Sequence, residues 1–321
     1  MPENATLGVL EPGAAESAAI GAWRSLAGNR AHVAGVETLK ETSKTAVYRM
    51  LGVSPGGASV IAKRRRNDAI DYERHIYENV LSVLPVSAPR YFGWCRAGDG
   101  KSWIFLEDSG GAELDYQSPA HMTAATKWLA AMHVTASGRV DALRLADRGP
   151  FHYLRHLASA AETLGRHMAN PALTADDVRV LTDVLRLLGH LGDNWKTVEA
   201  FCATLPATFT HGDFVQKNVH VREGSRGIVI LPFDWETSGG GVSAPDLPRV
   251  DVDLYWSIVR DAWPVSRADA SRMVSLGTMF RLLAAISWEA PSFRASWVKR
   301  ASMKMALYRD RLAAAMETWA P

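Results

Sequence analysis

The chain has 321 residues, of which 47% are hydrophobic and 22% are charged, so it can bury substantial cores and is neither disordered nor fibrous. Its formal net charge of +2 is too small to indicate nucleic acid or an acidic membrane surface as a partner. No apolar run approaches the ~20 residues that cross a bilayer, so no membrane partner is expected. The sequence carries no pattern that indicates an oligomeric state.

Cysteine usage and the first residues bear on the compartment. Cys95 and Cys202 are the only cysteines and lie far apart, which indicates neither a disulfide scaffold nor a zinc site and fits a reducing cytoplasm. The segment from Met1 to Asn29 contains three glutamates and lacks a basic start followed by a long apolar core, so it is not a secretory signal. We therefore expect a cytoplasmic protein.

The first third of the chain predicts a small antiparallel sheet preceded by a helix. The helix is expected at residues 14–26, with Asn29 as a stop signal. Short runs with β-compatible residues are separated by polar turns at 41–44, 54–57 and 98–100. The expected strands are 32–39, 46–53, 59–63, 90–94 and 102–106.

Lys63 ends a β-branched run, Val60-Ile61-Ala62-Lys63, and begins the basic run that continues to Arg66. It is either a functional amine or a solvated lysine at a strand end. The following segment, residues 68–84, has the apolar spacing of a helix that Asp68 can cap. This helix carries two carboxylates, Glu73 and Glu78, that are candidates to pair with Lys63.

The rest of the chain is predicted to be mainly helical, apart from one loop with its flanking strands. Several stretches have the apolar periodicity of helices, the first of them beginning at Pro119. We expect most of the late tryptophans to lie in the core; these are Trp256, Trp263, Trp288 and Trp297. The expected helices are 119–135, 151–168, 174–191, 195–204, 251–263, 267–288 and 292–316.

The stretch from His211 to Asn218 carries the strongest chemical signal. It offers the carboxylate of Asp213, the amide of Asn218 five residues later, and a second carboxylate, Asp234, just past a short apolar strand. A hairpin of strands 219–221 and 227–233 would bring Asn218 and Asp234 close together. One carboxylate can orient and deprotonate a hydroxyl while the other groups hold magnesium against a nucleotide. Taken singly, each residue could instead only shape or cap a turn.

This stretch resembles the catalytic loop of aminoglycoside phosphotransferases and choline kinases, the small-molecule branch of the protein-kinase-like fold. His211-Gly212-Asp213 stands where protein kinases have His-Arg-Asp, and Asp234-Trp235-Glu236 where they have Asp-Phe-Gly. The resemblance implies Asp213 as catalytic base, Asn218 and Asp234 as Mg²⁺ ligands, and ATP or GTP as phosphoryl donor. The residues from Ala244 to Leu247 resemble the family's later segment, whose aspartate is thought to brace the catalytic loop.

The same resemblance implies the residues that bind the nucleotide. Lys63 would neutralise the α and β phosphates, and Glu73, or alternatively Glu78, would fix its aim. The backbone of Glu107 and Ser109 would meet the adenine edge.

The loop of residues 41–45 stands where kinases place a glycine-rich phosphate cover, yet it contains no glycine. Its Ser43 would touch a phosphate through its hydroxyl or amide, and a plain hairpin turn explains this loop equally well.

We therefore expect an α+β, bilobal protein-kinase-like fold, with a small antiparallel-sheet lobe in residues 1–108 and a larger, mainly helical lobe in residues 109–321. The expected function is transfer of the γ-phosphate to a hydroxyl of an aminoglycoside-like antibiotic or related metabolite. The alternatives are a nucleotide-binding pseudokinase or regulatory scaffold and a choline- or sugar-type metabolic kinase. A protein kinase is disfavoured because no glycine follows Asp234-Trp235 and no Ala-Pro-Glu follows later.

Acidic residues also suggest something about the acceptor. Four of them are expected near the acceptor side, which is compatible with a polar or cationic substrate; these are Glu236, Asp251, Asp253 and Asp261.

Overall fold

A computed structural model describes residues 13–28, 32–53, 57–225 and 227–319. The chain forms two compact units. The smaller comprises the residues up to Val83 together with Ala88–Gly111, and the larger comprises Leu84–Ser87 and the residues from Ala112 onward. The described residues do not include Asn29, which the sequence predicts as a helix stop, most of the predicted turn at 54–57, or residues 1–12.

The smaller unit is an antiparallel sheet covered by one helix. The sheet has five strands in the order β1-β2-β3-β5-β4. Alternate residues of β2 are buried, among them Tyr48 and Met50, and Trp23 of the helix packs against Phe92 and Phe105. The elements are α1 Ala14–Ala27, β1 Gly35–Glu41, β2 Ala46–Leu51, β3 Val60–Arg66, β4 Tyr91–Arg96 and β5 Lys101–Glu107.

The helix expected at residues 68–84 is interrupted. It forms α2 Asn67–His75, continues as one π-helical turn at Ile76–Val80 and ends in the 3₁₀ turn Leu81–Val83. Asp68 does not cap it, because the N-cap position is Arg66 and the Asp68 carboxylate pairs with the Arg66 side chain instead. The sequence indicated the helix but not its break, since the apolar spacing of a π turn differs little over five residues.

The larger unit is mainly helical. Its helices are α3 Pro119–Ala136, α4 Pro150–His167, α5 Ala175–Asp193, α6 Trp195–Ala203, α7 Val252–Val259, α8 Arg267–Glu289 and α9 Lys299–Trp319. Four of them begin at side-chain caps, supplied by Ser118, Thr174, Asp251 and Ser266. Their apolar faces form one core, in which Tyr153 of α4 stacks on Phe280 of α8 at a ring distance of 4.0 Å. None of the helices described is long and apolar enough to span a membrane.

Two short sheets interrupt these helices and hold the predicted loop. The first pairs β7 Thr208–Thr210 with β10 Gly239–Gly241. The second contains β6 Ala112–Glu113 and the hairpin of β8 Val219–Gly224 with β9 Gly227–Pro232. The chain between β7 and β10 therefore leaves one sheet, forms the hairpin and returns.

The C-terminal predictions need two corrections. The helix expected at 251–263 covers only Val252–Val259, and that expected at 292–316 becomes a 3₁₀ segment, Ala290–Arg294, followed by α9.

Trp288 and Trp297 are 58% and 71% exposed, so their expected core positions are wrong, whereas Trp263 is buried. Trp297 lies between the 3₁₀ segment and α9, outside any helix, and amphipathic spacing does not show which side of α8 at Trp288 finds a neighbour.

Candidate functional site

The hairpin brings the predicted metal ligands to the same end of two paired strands. Asn218 precedes β8 and Asp234 follows β9; the register pairs Val219 with Pro232. One step beyond, the Phe233 amide donates to the Asn218 carbonyl oxygen at 3.0 Å. Antiparallel pairing therefore places these two residues, sixteen positions apart, side by side.

Asp213 lies against Asn218, and it is the residue that the sequence assigned as catalytic base. The Asn218 amide nitrogen donates to Asp213 Oδ2 at 2.8 Å and to the Asp213 carbonyl oxygen at 3.0 Å. The other carboxylate oxygen, Oδ1, accepts from Arg281 at 3.2 Å, and Lys217 Nζ lies 3.6 Å from Oδ2. The side chain remains 24% exposed, so a substrate can reach it.

The Asn218 and Asp234 side chains offer oxygen donors that suit a hard cation. Because the amide nitrogen of Asn218 is directed at Asp213, its Oδ1 is the atom left to face a cation. Asp234 adopts φ 67°, ψ 61°, a left-handed conformation that a non-glycine residue takes up where its side chain must be aimed. No cluster of three His, Cys, Asp or Glu side chains suited to a metal occurs among the described residues. An amide and a carboxylate fit Mg²⁺, which keeps waters and phosphate oxygens as its other ligands.

His211 holds the start of the loop as a neutral side chain. It is fully buried; its Nε2 donates to the Phe233 carbonyl oxygen at 3.1 Å, and its Nδ1 accepts from the Asp213 amide at 3.3 Å. Burial lowers the pKa of His211 below its ordinary value, although the nearby carboxylates oppose this shift. His211 therefore shapes the loop as a neutral imidazole whose single N–H is used in the bond to the Phe233 carbonyl oxygen.

Asp246 braces the loop from the other side. Its two oxygens accept from the backbone amides of His211 and Gly212, each at 2.8 Å, and Oδ2 also accepts from His133 Nε2 at 3.2 Å. Burial alone would raise the pKa of this carboxyl, but the bonds from His133 and His211 lower it below its usual range. His133 in turn contacts Tyr255, whose hydroxyl lies 2.9 Å from Nδ1. The contact expected of this aspartate from its sequence position is thus present.

Two glycines permit this close packing. Gly212 has φ 78°, and a Cβ there would lie 2.6 Å from the Thr237 carbonyl oxygen. A Cβ on Gly277 of α8 would lie 1.8 Å from the Ala244 carbonyl oxygen, two residues before Asp246. Side chains at these positions would displace the loop that holds Asp213 or the Asp246 contact that braces it.

The side chain of Arg148 makes contacts at this site that the sequence did not predict. Its Nε donates to the carbonyl oxygens of Thr237 and Ser238 at 3.0 and 3.1 Å, and Nη2 donates to that of Glu236 at 3.3 Å. It thus fixes the turn that follows Asp234. The run of glycines in β10 was the available sequence signal that another backbone segment packs closely here. A Cβ on Gly239 would lie 2.3 Å from the backbone of Ala146, two residues before Arg148.

Acid is expected to destabilise this region through His152. Burial, with the charges of Arg148, His156 and Arg155, lowers the pKa of His152 from 6.5 to about 4. In the unfolded protein this histidine binds a proton below pH 6.5, whereas in the folded protein it binds one only near pH 4. Protonation therefore favours the unfolded state between these values, and the stability of the folded protein falls as pH drops from 6.5 towards 4. His152→Gln should therefore show a smaller fall in Tm between pH 7 and 5 than the unaltered protein. The exposed His190→Gln is the control, and identical pH slopes for all three proteins would contradict the prediction.

In the smaller unit, Lys63 is paired with Glu73. The Lys63 Nζ lies 2.9 Å from Glu73 Oε2 and 3.2 Å from Oε1, and the two residues are 8% and 1% exposed. The alternative carboxylate, Glu78, accepts instead from the Tyr91 hydroxyl at 2.8 Å. A buried lysine needs such a partner to stay charged, so the amine is held in one position rather than solvated.

The remaining predicted nucleotide residues also lie in the smaller unit. Ser43 is exposed in the turn between β1 and β2, where the Thr42 amide donates to the Thr45 carbonyl oxygen at 2.9 Å. Glu107 ends β5, and its carboxylate accepts from the Arg90 amide at 3.0 Å. Ser109 follows and is 5% exposed. The structure thus places Ser43 in a hairpin turn, Glu107 at the end of β5 and Ser109 two residues beyond it.

Together, a five-stranded antiparallel unit with a buried lysine–glutamate pair and a mainly helical unit with this loop define a protein-kinase-like fold. The model of the Phosphotransferase enzyme family matches residues 43–282, well over half of the chain, and the protein therefore belongs to that family. No curated protein matches the sequence.

Solved structures of similar fold come from enzymes that are named for different substrates. The GDP complex of aminoglycoside 2'-phosphotransferase-IIIa is 13% identical, with a TM-score of 0.65 over 93% of this chain and 99% of that one. Spectinomycin phosphotransferase with ADP and spectinomycin is 9% identical, with a TM-score of 0.60 over 92% and 98%. Choline kinase from Cryptosporidium parvum Iowa II is 13% identical, with a TM-score of 0.56 over 88% of each chain. At these identities the likeness shows the fold alone.

Proposed function

We propose that this protein transfers the γ-phosphate of ATP or GTP, with Mg²⁺, to a hydroxyl of a small molecule. The observation that carries the proposal is the convergence of Asp213, Asn218 and Asp234 around one hairpin end. Family membership supports phosphoryl transfer, and the similar structures solved with nucleotides support the donor. Residues 1–108 would bind nucleotide and residues 109–321 would supply the catalytic loop and the acceptor site. The cytoplasm would be the compartment because it supplies the nucleotide.

In this proposal each polar residue has one role. The acceptor oxygen bonds to the γ-phosphorus as the bond to the bridging oxygen of the departing diphosphate breaks, and Asp213 takes the acceptor's proton. Asn218 and Asp234 would hold Mg²⁺, which neutralises charge on the phosphates. Lys63, aimed by Glu73, would balance phosphate charge, while Ser43 and the backbone of Glu107 and Ser109 would contact the nucleotide.

The acceptor defines the finer proposal. Aminoglycoside-like antibiotics and related metabolites are the acceptors that the sequence suggests, and choline- or sugar-type alcohols are the alternative. Similar structures include enzymes named for both kinds of acceptor. The same residues in a pseudokinase would bind nucleotide without turnover.

A panel of acceptors tests the proposal. The purified protein is incubated with ATP or GTP, Mg²⁺ and aminoglycosides, nucleoside antibiotics, choline-like alcohols and sugars, and release of ADP or GDP is measured. We expect acceptor-dependent release that EDTA abolishes and excess Mg²⁺ restores. Nucleotide binding without Mg²⁺-dependent release above background for any acceptor would favour the pseudokinase.

A further inference from the structure

Arg281 contacts Asp213, and two further arginines lie close enough to affect one another electrostatically; we call the three the arginine cluster: Arg249, Arg281 and Arg311. Arg281 of α8 donates to Asp213 Oδ1 at 3.2 Å. The Arg249 guanidinium lies 5.3 Å from the ring centroid of Tyr116, whose hydroxyl accepts from the Gln216 amide at 2.9 Å. Arg249 is thus tied through one ring to the catalytic loop itself.

Arg311 lies on α9, which packs against α8, the helix of Arg281, and it is close enough to both other arginines to be affected by their charges. Burial, then the charges of Arg249 and Arg281, lower the pKa of the Arg311 guanidinium below its ordinary value. Guanidinium groups repel one another when they share a site, so this arrangement costs stability unless an anion compensates it. The Arg249 and Arg311 side chains are exposed, so a ligand can reach them.

Carboxylates of the chain compensate only part of this charge. Arg281 pairs with Asp213 at 3.2 Å, and within the described part of the chain neither Arg249 nor Arg311 forms an ion pair with a carboxylate. Arg281 uses one N–H on Asp213, and a guanidinium has five in a planar fork that matches carboxylate and phosphate oxygens. The cluster therefore keeps positive charge and donors for a ligand.

Three of the four acidic residues expected to favour a cationic acceptor are engaged elsewhere. Asp251 caps α7 by accepting from the Leu254 amide at 3.0 Å. Asp253 pairs with Arg267, and Asp261 lies 3.8 Å from Arg260. These three carboxylates stabilise helix ends and surface pairs, which removes their support for a cationic substrate.

Within the cluster, Arg281 contacts the carboxylate oxygen of Asp213 that Asn218 does not contact. Asp213 directs Oδ2 to Asn218 and Oδ1 to Arg281. In the proposed function Asn218 faces the metal and the nucleotide. An acceptor would therefore approach Asp213 from the side of Arg281. We propose that the acceptor carries, besides its hydroxyl, an anionic group, a carboxylate or phosphate, that the arginine cluster binds. This inference rests on the proposed function and sets an anionic acceptor above an aminoglycoside.

Matched acceptors test the inference. D-gluconate is compared with D-glucitol, and D-glycerate with glycerol, each with ATP and Mg²⁺. We expect at least tenfold higher kcat/KM for the anionic member, because a charge-assisted hydrogen bond contributes about that factor. Arg249→Gln and Arg311→Gln should raise KM for the anionic acceptor about tenfold and leave KM for ATP unchanged. Arg179→Gln, an exposed substitution on α5, is the control that should change neither.

Two other outcomes of this experiment would overturn the inference. Equal or better turnover of neutral or cationic acceptors, kanamycin and choline included, with KM insensitive to the arginines, overturns the inference and leaves the kinase proposal standing. A rise in KM for ATP in the arginine variants assigns the cluster to nucleotide phosphate and also overturns it.

If the protein phosphorylates none of these acceptors, a measurement of anion binding tests the inference instead. Citrate should raise Tm relative to chloride of equal ionic strength, and Arg249→Gln with Arg311→Gln should abolish that rise; an undiminished rise in the variant, or no rise in the unaltered protein, overturns the inference. Failure of the kinase proposal has a separate signature, since Mg²⁺-dependent nucleotide consumption would be absent while the citrate response persisted.

Discussion

Asp213→Asn should lower kcat about a thousandfold while leaving nucleotide affinity within a factor of about two, because a positioned general base contributes about 10²–10⁴-fold. The amide keeps the shape of the carboxylate and can still accept from Arg281, so the loop should stay in place. It cannot take the acceptor's proton. Steady-state kcat for the best acceptor of the panel and calorimetric titration with ADP measure the two effects.

The control for this substitution is an aspartate of similar chemistry outside the site. Asp176→Asn, 80% exposed on the first turn of α5, should leave kcat unchanged. A kcat of Asp213→Asn within threefold of the unaltered enzyme would remove Asp213 from its role as base. A parallel loss of nucleotide affinity would instead indicate that the substitution disturbs Asn218, which donates to Oδ2 and to the backbone carbonyl oxygen of Asp213.

The sequence predicted the site where the functional groups are close along the chain. Asp213 and Asn218 share one loop, and Asn218 and Asp234 flank one hairpin, so strand pairing alone brings them together. The pairing of Lys63 needed a choice between two glutamates on one helix. The structure gives Glu73 because it lies on the buried face of α2.

Other contacts of the site could not be predicted because they depend on packing between distant elements. Arg281 lies 68 residues from Asp213 and Arg148 lies 89 residues from Thr237; each looks like an ordinary arginine of a helix or loop. No local pattern states which helix face reaches the loop. The strand and helix types were predicted from periodicity, whereas the π turn after His75 and the exposure of Trp288 were not.

Asp246→Asn should lower the free energy of unfolding by about 3–5 kcal/mol, the cost of breaking a buried charged network by removing one partner. Asp246 is 2% exposed and accepts from two backbone amides and from His133. Asparagine has one acceptor oxygen in place of two, and its NH₂ would face one of these donors. Urea unfolding followed by tryptophan fluorescence measures the loss. Exposed Asp310→Asn on α9 should change the free energy by less than about 0.5 kcal/mol.

The activity and pH response of Asp246→Asn separate bracing from bulk stability. Well below its unfolding midpoint the folded variant should still lose kcat, because Asp246 holds the amides of His211 and Gly212 that set the direction of Asp213. The pKa of Asp246 is lowered by folding, so its contribution is present above the unfolded pKa of about 3.9 and is lost as pH falls below that value. The variant should therefore lose less stability than the unaltered protein between pH 5 and 3. A loss under about 1 kcal/mol at pH 7, with normal kcat, would show that the loop keeps its shape without this carboxylate.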